Sequence, residues 1–462
     1  MGLKRSKTFR ILKDRGLYSS LLYLFGSKFR KLGEKMESMS AGDRSANSLR
    51  YEKLWNKGVE LPKNYKGILL HGGVSGGVAL CSFLSRMGDC IFGFDPWNPK
   101  HYRNMAGLYD SVYEASLRAK NKNQLLAYCN PGGDYHLEET ARFFSLCSNE
   151  VPVLFLVRDP ISRLKSYANH GTLSPWEDRS NMATLMHDPS RILDRLQYSF
   201  NEEEFSRYPT TKSVKIFCHE AIFWCFSLVK ILPGNSEILY IDMKDIVGDR
   251  VFGTLTYLSE VLHLPKPKEE DLPFFKTTRW NSLFKLLYPS FTIFIHPNHL
   301  GKSYSLESSI VYYQNSYKEC IINEAGSGGV NLLVSLDSGL SSQGFYKNVT
   351  EEFLDIKKDI YIYIYIYIYI SFQDYEVLQR NTKLYNATKE YVKCFMHALQ
   401  ERVKLEDSKL ITESQVLDYL KDNKQLAKNL KMIFDYEFQD LAKRRPDIIA
   451  SWEHYDRFQA LF

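Results

Sequence analysis

The 462 residues contain no uninterrupted apolar run near the roughly 20 positions that a bilayer-spanning helix needs. The start also lacks a long apolar segment followed by a small-residue cleavage site, so neither a membrane span nor a secretory leader is expected. Cysteine is sparse: the eight thiols, at positions 81, 90, 129, 147, 218, 225, 320 and 394, show no paired metal-ligand spacing. No metal site is expected, and thiols set within apolar runs read as buried and reduced. Charge of one sign is equally scarce. A formal net charge of +6 is too mild for this length to indicate a nucleic-acid partner.

The excess that exists is concentrated at the start. Residues 1–35 carry Lys4, Arg5, Lys7, Arg10, Lys13, Arg15, Lys28, Arg30, Lys31 and Lys35 against Asp14 and Glu34. Within them Leu17 to Phe25, followed by Lys28, Arg30 and Lys31, suits a short amphipathic helix on an anionic membrane surface. It suits an N-terminal helix packed on the core with a solvated basic face equally well. The expectation is a cytoplasmic protein, with residues 1–35 available for peripheral contact with the inner membrane.

A hydrophobic fraction of 44 % and aromatics at 14 % supply enough apolar surface to offset the entropy of ordering the chain. Past a basic arm over residues 1–45, strand and helix patterns alternate. Gly67 to Leu70 reads as a strand, Val78 to Met87 as a helix, Gln124 to Cys129 as a strand, Leu137 to Cys147 as a helix, and Val151 to Val157 as a strand. Glu237 to Ile241 and the helix Val251 to Leu262, closed by Pro265, complete a core assigned to residues 46–272. The expected fold class is α/β, a parallel sheet wrapped by helices, whose ligands bind beyond the carboxyl ends of the strands.

Two additions follow. Residues 273–373 read as a β-rich extension with strands at Ser309 to Tyr313, Val330 to Leu336 and Asp359 to Phe372, separated by the Gly- and Ser-rich loops 326–329 and 338–344. The last strand contains a strict Ile/Tyr alternation from Ile360 to Ile370, which sorts isoleucines and tyrosines onto opposite faces. Such a run is low-complexity sequence, of the kind a TA repeat in coding DNA produces, and at least one face needs packing to avoid aggregation. Residues 374–462, rich in Leu, Lys, Glu and Gln at helical spacing, read as a C-terminal helical unit.

The segment most specific for chemistry is Phe155-Leu156-Val157-Arg158-Asp159-Pro160-Ile161-Ser162-Arg163-Leu164-Lys165-Ser166-Tyr167. Pro160 disfavours helix at Asp159 and permits it just after, so the chain turns from strand into helix here. Arginine supplies a donor fork matched to phosphate, and a serine hydroxyl adds a nearby donor. Upstream, His71-Gly72-Gly73-Val74-Ser75-Gly76-Gly77-Val78 follows the first strand and opens a helix, where glycines let backbone N–H groups approach an anion.

These stretches resemble sulfotransferases of the P-loop superfamily, in which an arginine ends a buried strand and a serine follows eight residues later. The strand, acidic turn and helix from Leu239-Tyr240-Ile241-Asp242 to Pro265 are similar to a downstream element of the same family. The resemblance implies a sulfotransferase-like nucleotide-binding fold and 3′-phosphoadenosine 5′-phosphosulfate as cofactor. Arg158 and Ser166 would hold the 3′-phosphate, and Gly73, Ser75, Gly76 and Gly77 the 5′ side. The chain departs from the family at Val74 and Val78, where relatives carry a basic residue and a threonine, and at Leu126 to Pro131, where they carry a lysine. Arg163, Lys165 and Lys302 are the candidates to replace the absent cations. His136, Glu138 and His71, each just past an expected strand end, are the candidate general bases.

Asn298-His299-Leu300-Gly301, Leu332 to Asp337 and Lys383 to Thr388 also resemble proteins of unassigned function from Campylobacter and Helicobacter, some labelled putative sugar transferases. The first reading is therefore a transferase moving a sulfuryl group to a hydroxyl of a surface carbohydrate or its lipid-linked precursor. A sugar transferase acting on capsule or lipooligosaccharide is the alternative. A non-catalytic member of the fold that binds a nucleotide, polysaccharide or protein is the third.

Overall fold

In the computed structural model the described residues are 51, 53–88, 91–92, 105–118, 124–130, 137–170, 172–173, 182–193, 198–201, 204–218, 223–234, 236–276, 282–287, 290–302, 329–336, 344–354 and 366–462. The basic arm, the expected strand Ser309 to Tyr313 and the first part of the Ile/Tyr repeat lie outside them. The chain forms two compact units that interleave in sequence. One takes Met36–Gly171, Pro209–Arg279 and Ile411–Phe462, while the other includes Thr172–Tyr208 and Trp280–Leu410.

The first unit is α/β. Its strands are β1 (Gly67–Gly72), β2 (Ile91–Phe92), β3 (Gln124–Asn130), β4 (Val153–Val157) and β5 (Ile238–Asp242). They pair in the order β2-β3-β1-β4-β5, and every pairing is parallel. Apolar residues occupy both faces of the central strands. Ile68, Leu70, Leu126, Val153, Phe155 and Val157 enter one core, and Leu69, Leu125, Leu154, Leu156 and Ile241 enter the other. Near-continuous apolar runs of this kind are what a parallel sheet covered on both faces requires.

The helices α1 (Gly77–Gly88) and α5 (Val251–Val261) cover the second core through Leu80, Phe83, Leu84, Val251, Leu255 and Leu258. On the other face lie α2 (Met105–Arg118), α3 (Leu137–Ser145) and α4 (Pro160–His170), joined by helices from Glu413–Asp422 to Glu453–Gln459. From β1 the chain departs toward β2 and β3, whereas from β4 it departs toward β5 on the opposite side. The carboxyl ends of β1 and β4 therefore flank a topological switch point, where open α/β sheets bind ligands.

Residues 411–462 are fastened to this unit by buried polar contacts. The Asn169 side-chain amide donates to the Ile411 carbonyl at 2.9 Å and accepts from the Ile411 N–H at 2.9 Å. Glu437 accepts from the Cys225 N–H at 2.8 Å and from the Ser227 hydroxyl. Arg445 donates to the Tyr240 carbonyl at 3.0 Å.

The second unit holds a five-stranded sheet ordered Tyr346–Asn348, Tyr367–Ser371, Val330–Ser335, Phe291–Ile295 and Met182–Thr184, antiparallel except for its last pair. The strand Phe291–Ile295 is not among the expected ones: Phe-Thr-Ile-Phe-Ile is an apolar run too short for periodicity to separate strand from helix. Ile366, Ile368 and Ile370, at the end of the repeat, enter this unit's core with Phe395, Met396 and Leu399 of the helix Thr382–Ser408. Residues 172–208 also contribute a three-stranded antiparallel sheet, Thr172–Leu173, Tyr198–Asn201 and Glu204–Ser206. Sequence boundaries at 272 and 373 describe stretches of chain that these units cut across.

Cys147 and Cys225 are buried free thiols, Cys81 and Cys218 are half-buried, and Cys394 is exposed. Among the described residues no helix is long and apolar enough to cross a membrane.

Replacing Asn169 by Ala leaves the Ile411 N–H and carbonyl buried without this side chain as partner. We expect a loss of about 2 kcal/mol in urea unfolding, with the slope unchanged.

Candidate functional site

The loop between β1 and α1 is strained and tightly packed. Val74 has φ of 51° and Gly76 φ of 92°. A β-branched residue in the left-handed region is a genuine outlier, of the kind that persists only where its surroundings over-determine it. Two glycines have no room for a side chain: a Cβ at Gly73 would strike the Tyr167 hydroxyl, and one at Gly77 would strike the His71 ring. The loop turns through a Ser75 N–H to Gly72 carbonyl bond at 3.3 Å, and α1 begins with Leu80 N–H bonding the Gly76 carbonyl at 3.0 Å. The amide N–H groups before that point have no partner within the helix, which makes its start attractive to an anion. Ser75 is 1 % exposed, and its hydroxyl has no hydrogen-bond partner among the described residues.

Two arginines reach this loop from beyond β4. Arg158 donates from Nη1 to the Val74 carbonyl at 2.8 Å, and Arg163 donates from Nη2 to the preceding Gly73 carbonyl at 3.3 Å. Arg163 is 4 % exposed, its guanidinium carbon 5.1 Å from the centroid of the Phe223 ring. Burial, with the charge of Arg163 next, lowers the Arg158 guanidinium to about 10. Two like charges share a desolvated corner beside a loop rich in N–H donors.

The carboxylates nearby are committed elsewhere. Asp159 caps α4 by accepting from the N–H groups of Ile161 at 2.8 Å and Ser162 at 3.3 Å through Oδ1. Its Oδ2 accepts from the N–H groups of His454 at 3.1 Å and Tyr455 at 3.2 Å. Asp242, which pairs in register with Val157, accepts from the Lys244 N–H at 3.2 Å and from Trp452 Nε1 at 2.9 Å. Glu413 pairs with Lys165 at 3.0 Å and accepts from the Ser162 hydroxyl at 3.0 Å.

Gly73, Ser75, Gly76 and Gly77 thus form one turn, with Arg158 bonded to it. Ser166 lies half-buried on α4, which Asp159 caps just past Arg158. His71 is buried beneath the loop, with Nδ1 3.3 Å from the Gly72 carbonyl oxygen. Burial, supplemented by Arg163, pushes its imidazole down to about 4, so it is neutral and weakly basic. Glu138 is exposed in the first turn of α3, which follows β3 at the same end of the sheet. His136 lies outside the described residues. Of the replacement cations, Arg163 adjoins the loop, Lys165 is paired with Glu413, and Lys302 is an exposed residue of the other unit.

Sequence reasoning names Tyr167 only as the end of the arginine segment and Asp242 only within a packing element, and gives Trp452 and Phe223 no part in this corner. Asp242 was legible as an acid ending a strand; Trp452, 210 residues further on, carried no local signal. A separate cleft of about 320 Å³, lined by Glu60, Lys63, Ser148, Asn149 and Pro233 among others, sits where β1, β4 and β5 begin. Lys63 there is matched by Glu60 and Glu150. Among the described residues no group of three or more His, Cys, Asp or Glu side chains is arranged to hold a metal ion.

What fold and geometry define is an α/β protein with an anion-attracting corner at the switch point of a parallel sheet. Over residues 240–462 the chain is similar to the family described as Protein of unknown function (DUF2972). That match begins inside β5, so the loop, β4 and both arginines precede it. A search of the curated proteins gives no match.

Gly77→Ala drives a methyl group into the His71 ring, and we expect a loss of about 1–3 kcal/mol in urea unfolding. The acid side of the stability curve follows from His71. Between its ordinary 6.5 and its buried value of about 4, the unfolded chain binds a proton that the folded chain does not. Stability therefore rises with pH across that window, by about 3 kcal/mol from this group. A His71→Gln variant should lack that share of the slope when ΔG is measured against pH.

Proposed function

We propose that the corner binds a nucleotide bearing separate phosphate groups, and that the protein transfers a sulfuryl group from 3′-phosphoadenosine 5′-phosphosulfate to a hydroxyl of a surface carbohydrate or its lipid-linked precursor. The observation that carries this reading is the 2.8 Å bond from Arg158 to the Val74 carbonyl, which joins a phosphate-matched fork to a glycine-rich loop at a helix start. The orphan hydroxyl of Ser75 and the crowded positive charge both suit an anion. Arg158 and Ser166 would hold the 3′-phosphate, and the amides of the Gly73–Gly77 turn the 5′ side, as in the sulfotransferases these segments resemble. When bound, this donor supplies a sulfuryl group whose bond to the 5′-phosphate breaks as one to the acceptor oxygen forms.

The chain's own tasks are then to fix the donor, shield it from water and take the acceptor's hydroxyl proton. Neutral His71 beneath the loop is better suited to supporting the turn than to receiving that proton. Glu138, at the head of α3, is the described candidate for the base. For an acceptor built from surface-carbohydrate precursors we take the site of action to be the cytoplasm, with the basic residues 1–35 touching the inner membrane.

One observation favours a second reading: positions 74 to 78 carry no basic side chain, which suits a protein that holds a nucleotide without turning it over. The two readings share the binding step and part at turnover.

Thermal unfolding with 3′-phosphoadenosine 5′-phosphate, UDP, CMP and GDP tests the binding step. At one hundred times its dissociation constant a ligand adds about 2.7 kcal/mol. We expect selective stabilisation by the 3′-phosphorylated nucleotide, abolished in Arg158→Ala. Stabilisation by UDP, CMP or GDP instead would shift the assignment to a sugar transferase, and release of product from the phosphosulfate donor separates the catalytic reading from the binding one.

A further inference from the structure

No lysine or arginine lies between His71 and Leu80, so an anion drawn to the loop by N–H dipoles meets no charge there. The charge comes from beyond β4. Arg158 and Arg163 hold the carbonyls of two consecutive loop residues, Val74 and Gly73, at 2.8 and 3.3 Å. Asp159, Asp242 and Glu413, the acidic groups facing this corner, are occupied by four backbone N–H groups, by Trp452 with the Lys244 N–H, and by Lys165 with Ser162. A buried guanidinium (Arg163) and a half-buried one (Arg158) in the same corner disfavour each other in the absence of an anion. They favour a ligand carrying more than one anionic group.

We infer that Arg163 is the loop's counter-charge and takes the 5′-side anion of the ligand, while Arg158 takes a second, separate phosphate. The inference rests on the nucleotide reading above and deepens it by dividing the site between two arginines. Arg163 is tied to Gly73, where the chain enters the turn, and its guanidinium lies against Phe223, 5.1 Å from the ring centroid. A guanidinium held on both sides is oriented before any ligand arrives, so little ordering entropy is lost on capture. This is how a loop with valine at position 74 obtains the positive charge that its own side chains do not provide.

Calorimetric titration of the full chain with three probes separates the halves of the site. Comparing 3′-phosphoadenosine 5′-phosphate with adenosine 3′-phosphate gives the factor contributed by the 5′-phosphate. Comparing it with adenosine 5′-phosphate gives the factor contributed by the 3′-phosphate. Arg163→Gln should reduce the first factor by about tenfold or more and leave the second unchanged, and Arg158→Gln should do the reverse. Equal loss of both factors in Arg163→Gln, or an unchanged 5′ factor, would overturn the division while leaving the nucleotide reading in place. If the unsubstituted protein binds none of the three probes, the nucleotide reading fails and the inference with it. Should Arg163→Gln lower the urea midpoint, the comparison passes to Arg163→Lys. That variant keeps the charge without the fork and is judged by the same two factors.

Discussion

One carboxylate organises the corner beyond the carboxyl ends of β1 and β4 in the α/β unit. Asp159 accepts hydrogen bonds from four backbone N–H groups, those of Ile161 and Ser162 at the start of α4 and those of His454 and Tyr455 at the far end of the sequence. Burial raises its pKa and these bonds oppose that rise. A buried carboxylate is tolerable when its lone pairs are filled by fixed donors, and it becomes costly when any of them is withdrawn. Because Arg158 precedes Asp159 in the chain, the same contacts that cap α4 fix the direction from which the guanidinium approaches the loop.

The loop shows the complementary economy. Its left-handed valine and its two side-chain-free glycines would be unfavourable alone, and strain of this type is of order 1–3 kcal/mol. Neighbours from three other places keep it: the His71 ring below, the Tyr167 hydroxyl beside it and the two arginines at its carbonyls. Tyr167 is itself stacked on Phe217 at 4.6 Å. Each carbonyl held by an arginine is turned toward that arginine, which orients the peptide planes of the turn.

The parallel sheet and its covering helices were legible because the strands around Leu69, Leu126 and Phe155 are apolar on both faces and are punctuated by glycine or proline. Arg158 and the glycine turn were legible because their signals are local: a charge ending an apolar run, and a Gly cluster opening a helix. What stayed hidden was non-local. Nothing near Trp452 announces that its indole reaches Asp242. The strand Met182–Thr184 is too short to carry a periodic pattern of its own, and only its pairing with Phe291–Ile295 makes it a strand. Residues 172–208 and 411–462 change units for the same reason: partnership across the chain, and not local composition, decides where they pack.

The return of residues 452–455 to the sheet sets an order of events during synthesis. Asp159 emerges 295 residues before His454, a wait of about 15–60 s at the usual pace of translation. Through that interval Asp159 has the local N–H donors of Ile161 and Ser162 and lacks those of His454 and Tyr455, and β5 emerges without the indole that holds Asp242. The corner thus stays incomplete until residues 452–455 are made. A chain interrupted anywhere before residue 452 lacks the donors that residues 452–455 bring to Asp159 and Asp242.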